Sequence, residues 1–182
     1  RWKPYFVAVI TAAIAAEWCG QLSRSYRHGM FNYDSLWYHL PMAANFVRSA
    51  SFMTLKLYDA DIVVSTYPGG SEVFHAIGML AVGSDLLSPL LNIGWAALLL
   101  LAAHVIGRRY RCPHLAVASV LPVLALPIVL QVEALSALTE MMGLACLVAA
   151  IAFMLQGELT GVDGGAQGSG RLVLVGLSLG LV

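Results

Sequence analysis

Four apolar runs of membrane length set the terms for this chain: Pro4 to Leu22, Leu86 to Gly107, Leu115 to Val132 and Leu135 to Leu155, with a fifth opening after Arg171. A helix that crosses the hydrocarbon core of a bilayer needs about 20 predominantly apolar residues. Within lipid, only helices and closed barrels satisfy every backbone polar group. Composition points the same way, since 59% of the 182 residues are hydrophobic and 11% are charged, against about 25% charged in a typical soluble domain. The expected fold is all-α: a polytopic transmembrane helical bundle, read as a single domain over 1–182, with spans near 4–22, 86–107, 115–132, 135–155 and a truncated 172–182.

A cleaved signal peptide competes for the first run, because Arg1 and Lys3 precede it and Ala13-Ile14-Ala15 fits a cleavage site loosely. The later spans make a signal anchor sufficient. The chain starts at Arg1 and stops at Val182 inside an apolar run, and so reads as the N-terminal fragment of a longer protein. Net formal charge is zero and no basic run suits nucleic acid, so no nucleic-acid partner is expected. Cys19, Cys112 and Cys146 are isolated and odd in number, and read as small apolar residues.

The interval from 23 to 85 is the polar part of the chain, with Arg24, Arg27, Arg48 and Lys56 against Asp34, Asp59, Asp61, Glu72 and Asp85. It holds two amphipathic pieces. Leu36, Leu40, Ala43, Ala44 and Val47 recur at helical spacing between Ser35 and Ala50, with Pro41 kinking or restarting that helix. Val73, Phe74, Ile77, Leu80 and Ala81 do the same between Ser71 and Val82. Both are too short to span and are expected to lie at the membrane surface. The stretch from Tyr58 to Tyr67 reads as extended.

Arg108-Arg109-Tyr110-Arg111 directly after the second span marks a cytoplasmic end. Counting crossings then puts the N-terminus and the loop from Gln156 to Gly170 in the cytoplasm. The loop 23–85 faces the periplasm or cell exterior, in what is expected to be a bacterial cytoplasmic membrane.

Asp34 opens the first amphipathic helix. It reads equally as a helix cap and as a carboxylate able to act as general base or hold a divalent cation. Tyr38 shares its face four residues on, whereas His39 points elsewhere and suits a packed or interfacial histidine. Tyr67-Pro68-Gly69-Gly70 is a turn signal. Glu72 follows in the first turn of the next helix, either as a favourable dipole charge or as a second catalytic carboxylate. His75 lies three residues further along that face, so Asp34, Glu72 and His75 form a candidate metal set. Tyr38, His39 and Tyr67 are candidate substrate contacts, the tyrosines doubling as members of an interfacial aromatic belt.

The string Asp34-Ser35-Leu36-Trp37-Tyr38-His39-Leu40-Pro41, followed by Tyr67-Pro68 and Glu72 and then by a span ending in Arg108-Arg109, resembles the GT-C superfamily of membrane glycosyltransferases. That group includes protein O-mannosyltransferases and lipid A aminoarabinose transferases. The resemblance runs from the first span to about the fourth. It implies transfer of a sugar from a polyprenyl-phosphate donor to a lipid, glycan or protein acceptor at the outer face of the membrane. It maps the first-loop aspartate of the family onto Asp34 and a second acid onto Glu72, and it makes Arg48, with Arg24, Arg27 and Lys56, a candidate for the donor phosphate. Many relatives carry two adjacent acids where this chain has Asp34-Ser35, which weighs on a metal role more than on a base role. The competing classes are a multi-span transporter, for which Pro122, Pro127 and Glu140 speak, and a lipid-linked oligosaccharide polymerase or ligase.

Overall fold

A computed structural model of the chain describes residues 3–52, 69–157 and 166–180. These residues are helical or lie in turns and short connectors, and among them no strand occurs. The chain order is α1 (Lys3–His28), a π-helical turn (Ser35–His39), α2 (Leu40–Ser49), α3 (Gly70–Val82), a 3₁₀ turn (Asp85–Leu87), α4 (Ser88–Arg109), α5 (Pro113–Leu124), α6 (Pro127–Val132), a second 3₁₀ turn (Glu133–Leu135), α7 (Glu140–Gly157) and α8 (Ala166–Gly180). Tyr67, Lys56 and the stretch from Tyr58 to Tyr67 lie outside the described residues, as do the central residues of the loop after Gln156.

Among the described residues two helices are long and apolar enough to cross a membrane, Pro4–His28 and Asp85–Arg109, and the bent pair α5–α6 makes a third if it counts as one span. α1 continues six residues beyond the expected end at Leu22, through Ser25 and Tyr26. Those residues have partners: Ser25 Oγ donates to the Leu135 carbonyl at 3.3 Å and the Tyr26 hydroxyl to the Leu86 carbonyl at 2.7 Å. Nearer its middle, the Trp18 indole N–H donates to the Leu124 carbonyl at 3.1 Å. Tyr5, Phe6 and Val9, by contrast, point away from the protein, as side chains facing lipid would.

The core is built on α4 and α7. Ala96, Leu99, Ala102 and Ala103 are buried on one, Met141, Ala145, Ala149 and Ala152 on the other. Small side chains at helical spacing let two backbones approach closely, which is how helices associate where no water drives them together. Trp18 and Leu124 join Ala96, Leu99, Ala134, Met141 and Ala145 in one cluster, so α1 and α5 pack onto the same seam. The turn from α4 into α5 is as tight. A Cβ on Gly107 would stand 2.6 Å from both Ala116 Cβ and Pro113 Cα.

The expected third span, 115–132, is broken. α5 and α6 meet at 66°. Pro127 explains the break: it has no amide hydrogen to continue the ladder and forces the residue before it out of the helical region, and Leu126 duly sits at ψ 133°. The expected fourth span also starts later, at Glu140 in place of Leu135. Ser136 is extended and the second 3₁₀ turn uses up the intervening residues. Glu140 is therefore the first residue of α7, not a charge within a span. Asn92 on α4 ties this corner down by donating from Nδ2 to the Glu133 carbonyl at 2.8 Å and the Ser136 carbonyl at 3.4 Å.

α2 and α3 form a separate pair around Met42, Ala43, Phe46 and Ala76. Part of each expected apolar stripe is buried in this pair, Leu40 and Ala43 outright and Val47 and Val73 packed alongside, and polar residues are buried with it. On the first piece Leu36 is exposed while Ser35, His39, Met42 and Phe46 are buried; on α3 Ile77 and Leu80 are exposed while Ser71, Glu72, His75 and Ala76 are buried. α3 thus turns Ser71, Glu72 and His75 toward protein, with Val73 and Met79 beside them, while Ile77 and Leu80 face outward. α3 ends at Gly83, whose φ of 72° suits a residue without a Cβ, and whose N–H bonds the Met79 carbonyl.

Candidate functional site

The site grows from the segment 32–39. Asn32 caps its helical start: its Oδ1 accepts the Ser35 N–H at 3.1 Å, the bond an N-cap side chain makes to an otherwise orphaned amide three residues on. Asp34 makes no such cap bond, which removes the capping half of its sequence reading. The following turn widens to π geometry, with the Leu40 N–H bonded to the Ser35 carbonyl. Pro41, lacking an amide hydrogen, cannot close an α-helical bond onto Trp37, and the wider turn accommodates this.

That register rotates His39 inward. Its Nδ1 meets Glu72 Oε1 in a buried hydrogen bond; a carboxylate has only acceptors, so the imidazole N–H donates. His39 is 4% exposed and Glu72 2%, so neither is an open surface charge. The Tyr38 ring lies 4.0 Å from the His39 ring, centre to centre, and Trp37 stands edge-on to Tyr38. A second anchor holds the other end of the turn, where Ser35 Oγ accepts the Ala137 N–H at 3.0 Å across 102 residues of sequence. The turn is fastened to α3 on one side and to the start of α7 on the other.

Asp34 stands just before the Ser35 fastening, partly exposed, with no donor to its carboxylate among the described residues. Exposed Phe31, Tyr33 and Leu36 surround it in sequence. Glu72 is buried and engaged by His39, and does not stand open as a second carboxylate. Its Oε2, Ser71 Oγ and His75 Nδ1 are buried without a protein partner. Burial lowers the His75 pKa to about 4, outweighing the attraction of Glu72, while His39 adds to the lowering. Arg48 is exposed in the last turn of α2. The three candidate metal ligands Asp34, Glu72 and His75 do not gather: among the described residues no three His, Cys, Asp or Glu side chains are arranged to hold an ion.

Sequence spacing could not foretell the His39–Glu72 pair, because α-helical geometry turns His39 away. The Asn32 cap was within reach, since asparagine just before an apolar-periodic stretch is a start signal.

Beside this site a cavity of about 500 Å³ opens where the end of α1 meets the α6 corner, with Arg24 and His28 on one wall and Gln131 and Leu135 on the other. Compared with protein-family models, with curated proteins and with solved structures, the chain gives no match.

Proposed function

We propose that the chain is the N-terminal membrane part of a glycosyltransferase, which moves a sugar from a polyprenyl-phosphate donor to an acceptor hydroxyl at the outer face of the membrane. One observation carries the reading. Asp34 is a carboxylate held in place by its neighbours' bonds while making none of its own among the described residues. Groups that fold a protein spend their polar atoms on it; a catalytic base must be positioned yet uncommitted.

In this reading Asp34 accepts the acceptor's hydroxyl proton as the oxygen bonds the sugar's anomeric carbon. The carbon–oxygen bond to the lipid phosphate breaks, and the phosphate leaves with its electron pair. Glu72 is a positioning residue that acts through His39. Tyr38 and Arg48 are substrate contacts, Arg48 for the departing phosphate. Ile77 and Leu80, exposed on α3, support a helix lying on lipid with its polar side against the site. The polytopic bundle, the outer loop with two surface helices and the periplasmic orientation belong to the same proposal.

A transporter remains the second reading, favoured by the 66° break between α5 and α6 with buried Glu133 at its far end. One experiment separates the two. The intact protein, purified in detergent, is offered polyprenyl-phosphate sugars, and release of lipid phosphate is followed for wild type and Asp34→Asn. Turnover that collapses in the variant supports transfer. Equal turnover removes Asp34 from the chemistry, and none with any donor shifts the weight to transport.

A further inference from the structure

The cavity at the end of α1 lies beside the Asp34 site, shares Asn32 with it and has its own composition. Arg24 and His28 stand four residues apart, hence on one face of the helix, and both line it. Arg24 Nη1 donates to Gln21 Oε1 at 3.1 Å, which steadies the guanidinium while leaving most of its five donors for other partners. No carboxylate lines the cavity, and among the described residues none forms an ion pair with Arg24. Asn32 adds a third donor. Its Oδ1 is taken by the Ser35 N–H, so the Nδ2 amide is the end left for a ligand. Gln131 faces from the opposite wall, with Phe31 and Leu135 supplying apolar surface. The walls are fixed to one another by the Ser25–Leu135 bond.

A cationic, donor-rich pocket with apolar flanks, at the end of a helix of membrane length, sits where lipid headgroups lie. We propose that it binds the phosphate of an anionic membrane lipid. The Arg24 guanidinium takes the phosphate oxygens in its planar fork, His28 and the Asn32 amide approach from the sides, and the lipid's glycerol and first methylenes rest against Phe31 and Leu135. The inference rests on the membrane reading of α1 and is indifferent to whether the protein transfers sugars.

The test uses the intact protein in detergent, stripped of co-purified lipid. Short-chain phosphatidylglycerol and phosphatidylcholine of equal chain length are added at matched concentrations, and bound lipid is counted by native mass spectrometry. Both lipids carry the phosphodiester, but the choline cation of phosphatidylcholine is repelled by Arg24, so roughly a tenfold preference for phosphatidylglycerol is expected. The preference is expected to vanish in Arg24→Gln/His28→Gln and to persist in Arg108→Gln, which removes an exposed cation at the end of α4 outside the cavity lining. Should the double variant fail to fold, Arg24→Lys, which keeps the charge without the fork, is expected to show an intermediate preference. Equal binding of the two lipids overturns the proposal, as does a preference that survives in the double variant. Complete displacement of the lipid by equimolar inorganic phosphate assigns the pocket to a free anion and overturns the lipid assignment.

Discussion

His39 Nδ1 and Glu72 Oε1, 33 residues apart in sequence, are joined in a hydrogen bond that solvent scarcely reaches. The bond ties the π-turn that follows Asp34 to the first turn of α3, and so brings the two polar strings of the 23–85 interval together.

Breaking the tie has a measurable cost. Glu72→Gln leaves a buried imidazole facing a neutral amide, and about 1–3 kcal/mol of stability is expected to go with it. The informative experiment is the cycle with His39→Phe and the double variant, followed by thermal unfolding in detergent. Coupled residues give a double-variant loss smaller than the sum of the singles. Strict additivity would mean that the two side chains do not support one another.

His75 makes stability depend on pH. Folded, its pKa is about 4, below its ordinary 6.5, chiefly through burial. Above 6.5 it is neutral in both states; between 6.5 and 4 only the unfolded chain takes up the proton, so stability falls as pH falls through that window. The full effect is about 3 kcal/mol. Melting temperatures measured from pH 7.5 to 4.5 are expected to drop more steeply in wild type than in His75→Asn. Parallel curves would remove His75 as the cause.

Asn32 and Asp34 sit two residues apart and are expected to behave oppositely. Asn32→Ala loses the cap on Ser35 and about 1 kcal/mol. Asp34→Ala, which breaks no bond of the fold, stays within about 0.5 kcal/mol of wild type. Transferase turnover is expected to fall by about 10² to 10⁴ in Asp34→Asn. A large stability loss on replacing Asp34 would show that its carboxylate serves the fold.

Gly107→Ala tests the α4–α5 corner. With Ala116 Cβ and the Pro113 backbone 2.6 Å from the added methyl, one of the two helices must shift, at a cost of about 1–3 kcal/mol. Gly94, with nothing within 4 Å, is the control, and Gly94→Ala is expected to be tolerated. Equal melting of the two variants would show that the corner yields freely.

Much of the helical layout was legible because it follows from local chemistry. The apolar runs beginning at Pro4 and Leu86 required membrane-length helices, since a chain so poor in charge cannot coat itself in water. The break at Pro127 was not expected, because apolar length marks 115–132 as one span and does not register the amide hydrogen that Pro127 lacks. Helix ends were less legible: α1 runs on to His28 because Ser25 and Tyr26 find carbonyls on distant segments, and α7 starts late because the corner before it is held by Asn92.

Sequence alone also singled out Asp34, Tyr38, Glu72 and His75 as chemistry, yet not how they divide the work. Periodicity assumes an unbroken α-helix, and one π-turn before Pro41 is enough to swing His39 inward and Leu36 outward. It also does not show that α3 buries Ser71, Glu72 and His75 against protein while Ile77 and Leu80 face outward. The amino-acid sequence by itself determined that the chain is helical, that it carries membrane-length spans, and which polar residues lie between them. Only the tertiary structure decided that Glu72 is buried against His39 while Asp34 stays free, because a buried hydrogen bond needs two partners and the second one comes from another helix.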